Sequence, residues 1–181
     1  MATLTIELPP QKTQTTFNLR RWAEVLKDPE WAKYDWRIET DRYGYVIMSP
    51  PPAPGHGTYQ SKIAQLLWTL MPEGHILTEC PISTADGVKA ADVAWASPGQ
   101  IRELGDEVCF PRASEICVEV LSPSNTEAEI DEKKALYFDA DAKEVWLCSV
   151  SGAMSFFMRG AARAGRASQL CPGFPKKVEL R

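Results

Sequence analysis

Two acidic residues stand where acids are rarely tolerated. Glu119 lies in the middle of Ile116-Cys117-Val118-Glu119-Val120-Leu121, the most apolar run of the chain. Asp92 sits in Lys89-Ala90-Ala91-Asp92-Val93-Ala94-Trp95, another apolar segment. Carboxylates are almost never fully buried unless they are paired or bind a metal. Strand alternation puts Cys117, Glu119 and Leu121 on one face and Ile116, Val118 and Val120 on the other. If the two strands are neighbours, the acids converge and repel unless a cation lies between them. A hard divalent ion with oxygen ligands suits such a pair, and Mg²⁺ uses one or two carboxylates with water and substrate phosphate. Lys133 or Lys134, on the helix expected next, could bring an ammonium to the same place. Two carboxylates, one metal and one lysine suit phosphodiester hydrolysis, in which the metal polarises the phosphate and lowers the pKa of a bound water.

Further candidates flank this group. Glu39 could be a third acid. His56, between Gly55 and Gly57 ahead of an expected helix, could contact phosphate or activate a nucleophile. Gln60, one turn into that helix, is a weaker candidate, and His75 reads as a loop residue. Ser122-Pro123-Ser124-Asn125-Thr126 reads as helix-capping sequence rather than a phosphate loop. The chain contains no G-x-S-x-G, no G-x-x-x-x-G-K-[ST] and no G-x-G-x-x-G, which excludes a hydrolase elbow, a P-loop and a dinucleotide-binding turn.

The elements that must position these residues follow from the pattern. Leu4–Leu8 is a short strand candidate ended by Pro9-Pro10. Leu19–Lys27 reads as a helix capped by Asn18, Trp31–Trp36 as a turn, and Arg37–Ile47 as a hairpin around Gly44. The prolines of Met48–Gly57 imply an extended loop. Ile63, Leu66, Leu67 and Leu70 have helical spacing within Thr58–Met71. Ile76–Ile82 and Val88–Ala96 are strands joined at Asp86-Gly87, and Pro98–Pro111 reads as a surface excursion. Ile116–Leu121, a helix to about Ala140 opened by the Thr126/Glu129 capping box, and Val145–Val150 make a strand–helix–strand unit. Its strands should be parallel and its crossover right-handed. Met154–Met158 pairs back across Ser151-Gly152. The class is α/β (α+β), with a mixed sheet.

Composition sets the outer limits. The 181 residues amount to one domain, 1–181, by length. The formal charge of −4 excludes a protein that coats nucleic acid by charge alone. That charge is uneven: residues 159–181 carry six basic side chains against Glu179, a balance of +5, while residues 1–158 carry 14 basic and 23 acidic, a balance of −9. No apolar run approaches the ~20 residues of a membrane helix, and Met1–Pro10 lacks the pattern of a signal peptide. Five cysteines with no C-x-x-C spacing argue against a disulfide framework or zinc site and for a cytoplasmic location.

Asp92-Val93-Ala94, Val118-Glu119-Val120-Leu121-Ser122-Pro123-Ser124, Lys133-x-x-x-Tyr137 and Glu144-Val145-Trp146-Leu147 resemble the bacterial "putative restriction endonuclease" (Uma-type) family of the PD-(D/E)XK nuclease-like superfamily. Glu39, the Gly44 turn, Met48-Ser49-Pro50 and Gly55-His56-Gly57 also match, so the likeness runs from about Phe17 to Phe157. It implies a restriction-endonuclease-like mixed sheet flanked by helices, with an N-terminal hairpin or strand extension. It implies an endonuclease that uses Mg²⁺ or Mn²⁺, with DNA as substrate. Asp92 matches the family's metal-binding aspartate and Glu119 its (D/E) position. Lys133 matches the lysine that this branch carries on the following helix, with Lys134 as the fallback. Ala91 replaces the motif proline, and Leu121 stands where the superfamily has its strand lysine. That departure favours an alternative: a nuclease-fold module of weak or no activity, serving nucleic-acid binding or protein assembly. By analogy with nucleases that cut both strands, the chain is expected to form a homodimer.

Overall fold

A computed structural model describes residues 11–180. The strand expected at Leu4–Leu8 lies outside the described residues. Helix α1 (Gln11–Lys27) leads through a short 3-10 turn at Trp31–Lys33 into the hairpin β1 (Arg37–Thr40) and β2 (Val46–Ser49). Helix α2 (Pro54–Leu70) precedes the long hairpin β3 (His75–Thr84) and β4 (Gly87–Ala96). Helix α3 (Pro98–Leu104), β5 (Ile116–Val120), α4 (Glu127–Asp139), β6 (Glu144–Cys148) and β7 (Met154–Met158) follow. Strands β3 to β7 form one sheet in chain order. It is antiparallel except between β5 and β6, the pair joined by α4. The strand–helix–strand unit read from the sequence is present, and both bonds of the Thr126/Glu129 capping box are made.

The sheet is covered on both faces. Ile63 and Leu67 of α2, with Met71 just after it, pack with Val93, Val118, Val120, Trp146 and Phe156, and the C-terminal segment adds Phe174 and Val178. On the other face Tyr137 and Ala140 of α4 pack with Cys117, Val145, Ala113 and Phe110. β5 is therefore buried along its whole length, as a strand covered on both faces must be. The buried Glu144 staples the C-terminal segment to the sheet: its carboxylate accepts from Trp146 Nε1 at 2.7 Å and from the N–H groups of Gln169 and Leu170 at 2.7 and 2.8 Å.

Several local expectations are corrected. Asn18 caps nothing: α1 starts seven residues earlier, and Asn18 is buried mid-helix. Its amide donates to Ser83 Oγ at 2.9 Å and to the Thr84 and Gly87 carbonyls at 2.9 and 3.2 Å, tying α1 to the β3–β4 turn. Pro54 lies at the start of α2 rather than in a loop, because proline at the first helical positions removes an N–H that has no partner there. His56 therefore lies in the first turn of α2, not ahead of it. His75 is the first residue of β3. Pro98–Pro111 is a surface excursion only in its middle: Ser97 caps α3 by accepting from Gln100 N, and Phe110 is buried with backbone bonds to Pro81 and Ser83, while Gly105–Val108 is exposed.

The β1–β2 hairpin matters most for the site. Ile38 and Val46 pack it against Trp22 and Val25 of α1 and Val88 of β4. Gly44 closes its turn at φ +82, and a Cβ there would press on Phe17 and Arg21 at 3.0 Å. Gly87, at φ +86, leaves room for the Thr40 carbonyl, only 2.3 Å from where a Cβ would sit. Arg42 Nε reaches Asp86 Oδ1 at 3.0 Å, and Lys89 Nζ reaches Asp86 Oδ2 at 3.0 Å. Among the described residues no helix is long and apolar enough to cross a membrane.

Two outcomes are expected. Asn18→Leu leaves buried carbonyls without donors and should lower stability by about 1–3 kcal/mol, read by urea unfolding. Burial raises the Asp86 carboxyl pKa, but the bonds and charges of Lys89 and Arg42 outweigh it and hold the group below its usual value. Its contribution is thus full above the unfolded value of about 3.9 and is lost as the pH falls through the lower folded value. Asp86→Asn should therefore show a shallower acid-side loss of melting temperature than the parent.

Candidate active site

Asp92 and Glu119 meet where two strands part. Val93 pairs with Val118, so the next step of the register sets Asp92 opposite Glu119, and there the β4–β5 ladder ends. In place of a backbone bond, the Val120 N–H donates to Asp92 Oδ2 at 2.6 Å. On the other edge of β4 the ladder to β3 also skips one position. Thr78 pairs with Val93 and Cys80 with Ala91, but Glu79 has no ladder partner and lies at φ +50. A left-handed glutamate is uncommon, and such strain gathers at functional sites. Both carboxylates are buried, Asp92 with 1% of its side chain exposed.

Three further elements bring partners to this point. From β1, Arg37 and Glu39 share a face two residues apart. Arg37 Nη1 lies 2.9 Å from Asp92 Oδ1, its Nε lies 3.0 Å from Glu79 Oε2, and its Nη2 donates to the Ala90 carbonyl. Glu39 Oε1 accepts the Ala90 N–H at 3.0 Å. From the first turn of α2, His56 Nε2 lies 3.2 Å from Asp92 Oδ2. One turn on, Gln60 Nε2 donates to the Asp92 carbonyl at 2.8 Å and to Glu79 Oε1 at 3.0 Å.

Helix α4 supplies the remaining partners. Lys133 and Tyr137 are four residues apart and share a helix face, and both end on Glu119. The Tyr137 hydroxyl donates to Oε1 at 2.7 Å. Lys133 Nζ lies 3.2 Å from Oε2 and 3.2 Å from Glu39 Oε1, bridging the two acids. Lys134 faces elsewhere: it pairs with Asp131 at 2.7 Å and stands 4.1 Å over the Phe157 ring.

The electrostatics divide the two central acids. For Glu119 burial raises the carboxyl, Lys133 opposes it, the nearby Asp92 charge adds to it, and the net shift is upward. For Asp92 burial also raises, but the His56 hydrogen bond, the Arg37 charge and the Val120 N–H outweigh it, and the net shift is downward. Glu39 behaves like Asp92: burial raises it, and Lys133, Arg37 and the Ala90 N–H bring it below its usual value. His56 is raised, first by its bond to Asp92 and against burial. Burial lowers Lys133, but the Glu119 and Glu39 charges outweigh it and hold it above the ordinary lysine value, so it stays an ammonium. Adjacent carboxyls pushed in opposite directions occur at functional sites and in structural ion-pair networks alike.

Among the predicted site residues, Asp92, Glu119, Lys133, Glu39 and His56 come together with Gln60, and Lys134 does not. Two members went unread in the sequence: Arg37, and the strained Glu79. Arg37-x-Glu39 on one strand face was the available signal for the first. Nothing in the sequence marks Glu79, because its place depends on the interrupted ladder.

Among the described residues no group of three or more His, Cys, Asp or Glu side chains is placed to hold a metal ion. Glu39, Glu79, Asp92 and Glu119 set four carboxylates against two permanent cations, Arg37 and Lys133. When all are ionised, two negative charges remain with His56 neutral and one with it protonated. Three buried polar atoms here lack an aligned hydrogen bond: Asp92 Oδ1, Arg37 Nε and His56 Nδ1. For the first two, ion-pair distances near 3 Å show that charge is balanced while directional bonding is not.

No curated protein matches the chain. The fold is similar to the crystal structure of a "putative nuclease belonging to DUF820" from Anabaena variabilis, with a TM-score of 0.62 and 18% identity over 77% of this chain and 80% of that one. The family model described as "Uma2: Putative restriction endonuclease" matches residues 22–178, a span that holds every residue of the site. The chain belongs to the Uma2 "Putative restriction endonuclease" family.

Proposed function

We propose that the chain is a Mg²⁺- or Mn²⁺-dependent endonuclease that hydrolyses phosphodiester bonds of DNA at Asp92, Glu119 and Lys133. The observation that carries this reading is the facing pair of buried carboxylates at the end of the β4–β5 ladder, with the ammonium of Lys133 on Glu119. Asp92 and Glu119 would hold the cation once Arg37 and Lys133 give way, because the described residues gather no group of three metal-ligating side chains as they stand. Such a cation, when bound, polarises the phosphate and activates water for attack on phosphorus.

The chain's own groups supply the rest. Lys133 remains charged, so it donates to and stabilises developing negative charge rather than accepting a proton. Tyr137 fixes the Glu119 carboxylate through Oε1 and so leaves Oε2 facing Lys133. His56, kept protonated to a higher pH by Asp92, can donate a proton or bind phosphate. Leu121 at the usual strand-lysine position is then no loss of function, because Lys133 from α4 reaches the same acid. A reducing cytoplasm fits the five buried, unpaired cysteines, and a homodimer would give one site per strand of a duplex.

One observation favours the second reading, a module without turnover. Each oxygen of Asp92 and Glu119 already has a donor of this chain within 3.2 Å. A closed ion-pair cage of that kind holds the fold with no metal. Nicking of supercoiled plasmid in millimolar Mg²⁺ or Mn²⁺ separates the two. Asp92→Asn, Glu119→Gln and Lys133→Met should each lower the nicking rate by about 10²–10³-fold with an intact circular-dichroism spectrum. Variants that nick DNA like the parent would show that the site is elsewhere. A parent that never nicks would favour the module.

A further inference from the structure

We propose that the outer edge of β7 is a phosphate-binding strip that holds the backbone of a nucleic-acid substrate beside the acids. The proposal rests on the nuclease reading for what the bound strand is for, but its binding test stands apart from turnover.

Register places the strip. Glu119 pairs with Leu147 of β6, and Leu147 pairs with Ser155 of β7. β7 ends the sheet, and the chain that follows doubles back along its free side. Gly165 bridges to Phe156, next to Ser155 on one side. On the other side the Met154 N–H donates to the Lys176 carbonyl, and Lys177 bridges to Ala153. Arg163 and Arg166, beside Gly165, and Lys176 and Lys177 thus flank the row of the sheet that carries Glu119. Three strand spacings set this segment roughly 14 Å from the Glu119 backbone. Its own backbone is fixed: Gln169 and Leu170 donate to the buried Glu144, and Phe174 and Val178 lie in the core. The strip is therefore in place before a ligand arrives, which lowers the ordering cost of binding.

Charge names the occupant. Residues 159–178 carry five basic side chains and no acid, in a chain of net charge −4. Arg159 is engaged by Asp141 and the Phe138 carbonyl. The other four are exposed. Among the described residues Arg163, Arg166 and Lys176 make no ion pair, and Lys177 meets Glu179 in an exposed pair of little strength. Between Arg159 and Arg166 every other residue except Arg163 is glycine or alanine, so nothing bulky keeps a backbone away from the guanidinium groups. Cations in line along one edge fit a polyanion of repeating charge, and guanidinium groups match phosphate oxygens with paired N–H bonds. The acids cannot supply this attraction, because their site keeps a net negative charge until a cation binds. The backbone needs positive charge from elsewhere, and this edge is where the chain gathers it.

The test is fluorescence anisotropy of a short fluorescein-labelled DNA duplex in EDTA, repeated from about 50 to 200 mM salt. Each phosphate neutralised adds about 0.9 to the slope of log affinity against log salt. Arg163→Gln with Arg166→Gln should lower that slope by about 2, and Lys176→Gln with Lys177→Gln by about 2 as well. Each pair should weaken binding at least about tenfold at the lower salt. Arg20→Gln with Lys27→Gln removes the same charge from exposed positions of α1, which packs at the β3–β4 end of the sheet, and should leave the slope unchanged. Matching melting temperatures will show that these surface variants fold. The proposal is overturned if the parent does not bind the duplex or if either pair keeps the parent's slope. It is also overturned if the α1 control lowers the slope equally, which would make net charge the cause. Binding to phosphatidylserine vesicles in place of DNA would overturn it too and make this edge a membrane contact. A parent that binds through the strip but never nicks DNA in Mg²⁺ or Mn²⁺ would support the strip and count against the nuclease reading alone.

Discussion

The structure depends on two carboxylates withdrawn from water at one point of a sheet. Moving an ion into a protein interior costs several kcal/mol even after relaxation, and Asp92 and Glu119 also repel each other. The fold answers with groups from four directions: Arg37 from the hairpin, His56 from α2, Lys133 and Tyr137 from α4, and the Val120 N–H from the sheet itself. Removing one member of such a network leaves an uncompensated buried charge, whereas replacing the whole group by apolar side chains would avoid that cost.

The peripheral elements follow from the same demand. The hairpin has too few strands to be stable alone. It is held by Ile38 and Val46 against α1, by Arg42 on Asp86, by Lys89 on the Thr40 carbonyl, and by the close approach of Thr40 to Gly87. Those contacts set Arg37 and Glu39 along β4 at the level of Asp92. Helix α4 is placed by its capping box and by the parallel crossover from β5 to β6, and this turns the Lys133–Tyr137 face toward Glu119. Helix α2 begins at Pro54, so His56 and Gln60 lie one turn apart over Asp92.

Much of this was legible in the sequence because local rules and tertiary needs agree there. Ile116–Leu121 reads as a buried strand, Thr126 with Glu129 as a helix start, and an acid in each of two apolar strands as a site. Where reading failed, a long-range contact had overridden a local preference. Asn18 has the side chain of a cap, but its buried bonds to the β3–β4 turn keep it inside the helix. The prolines before α2 suggested an extended loop to Gly57, but one of them starts the helix. Pattern alone does not separate Lys133 from Lys134; the resemblance singled out Lys133, and the helix rotation set by Tyr137 packing turns that residue toward Glu119. Arg37 looks like a surface arginine until the hairpin is docked.

The central claim is that this acid pair is built to take a divalent cation rather than to remain an ion-pair cage. Isothermal titration of Mn²⁺ into the parent and into Asp92→Asn is the most direct measurement. The account predicts saturable binding of one ion or a close pair per chain by the parent, lost in the variant while the fold is retained. Equal binding by both proteins, or none by the parent at millimolar Mn²⁺, would contradict it.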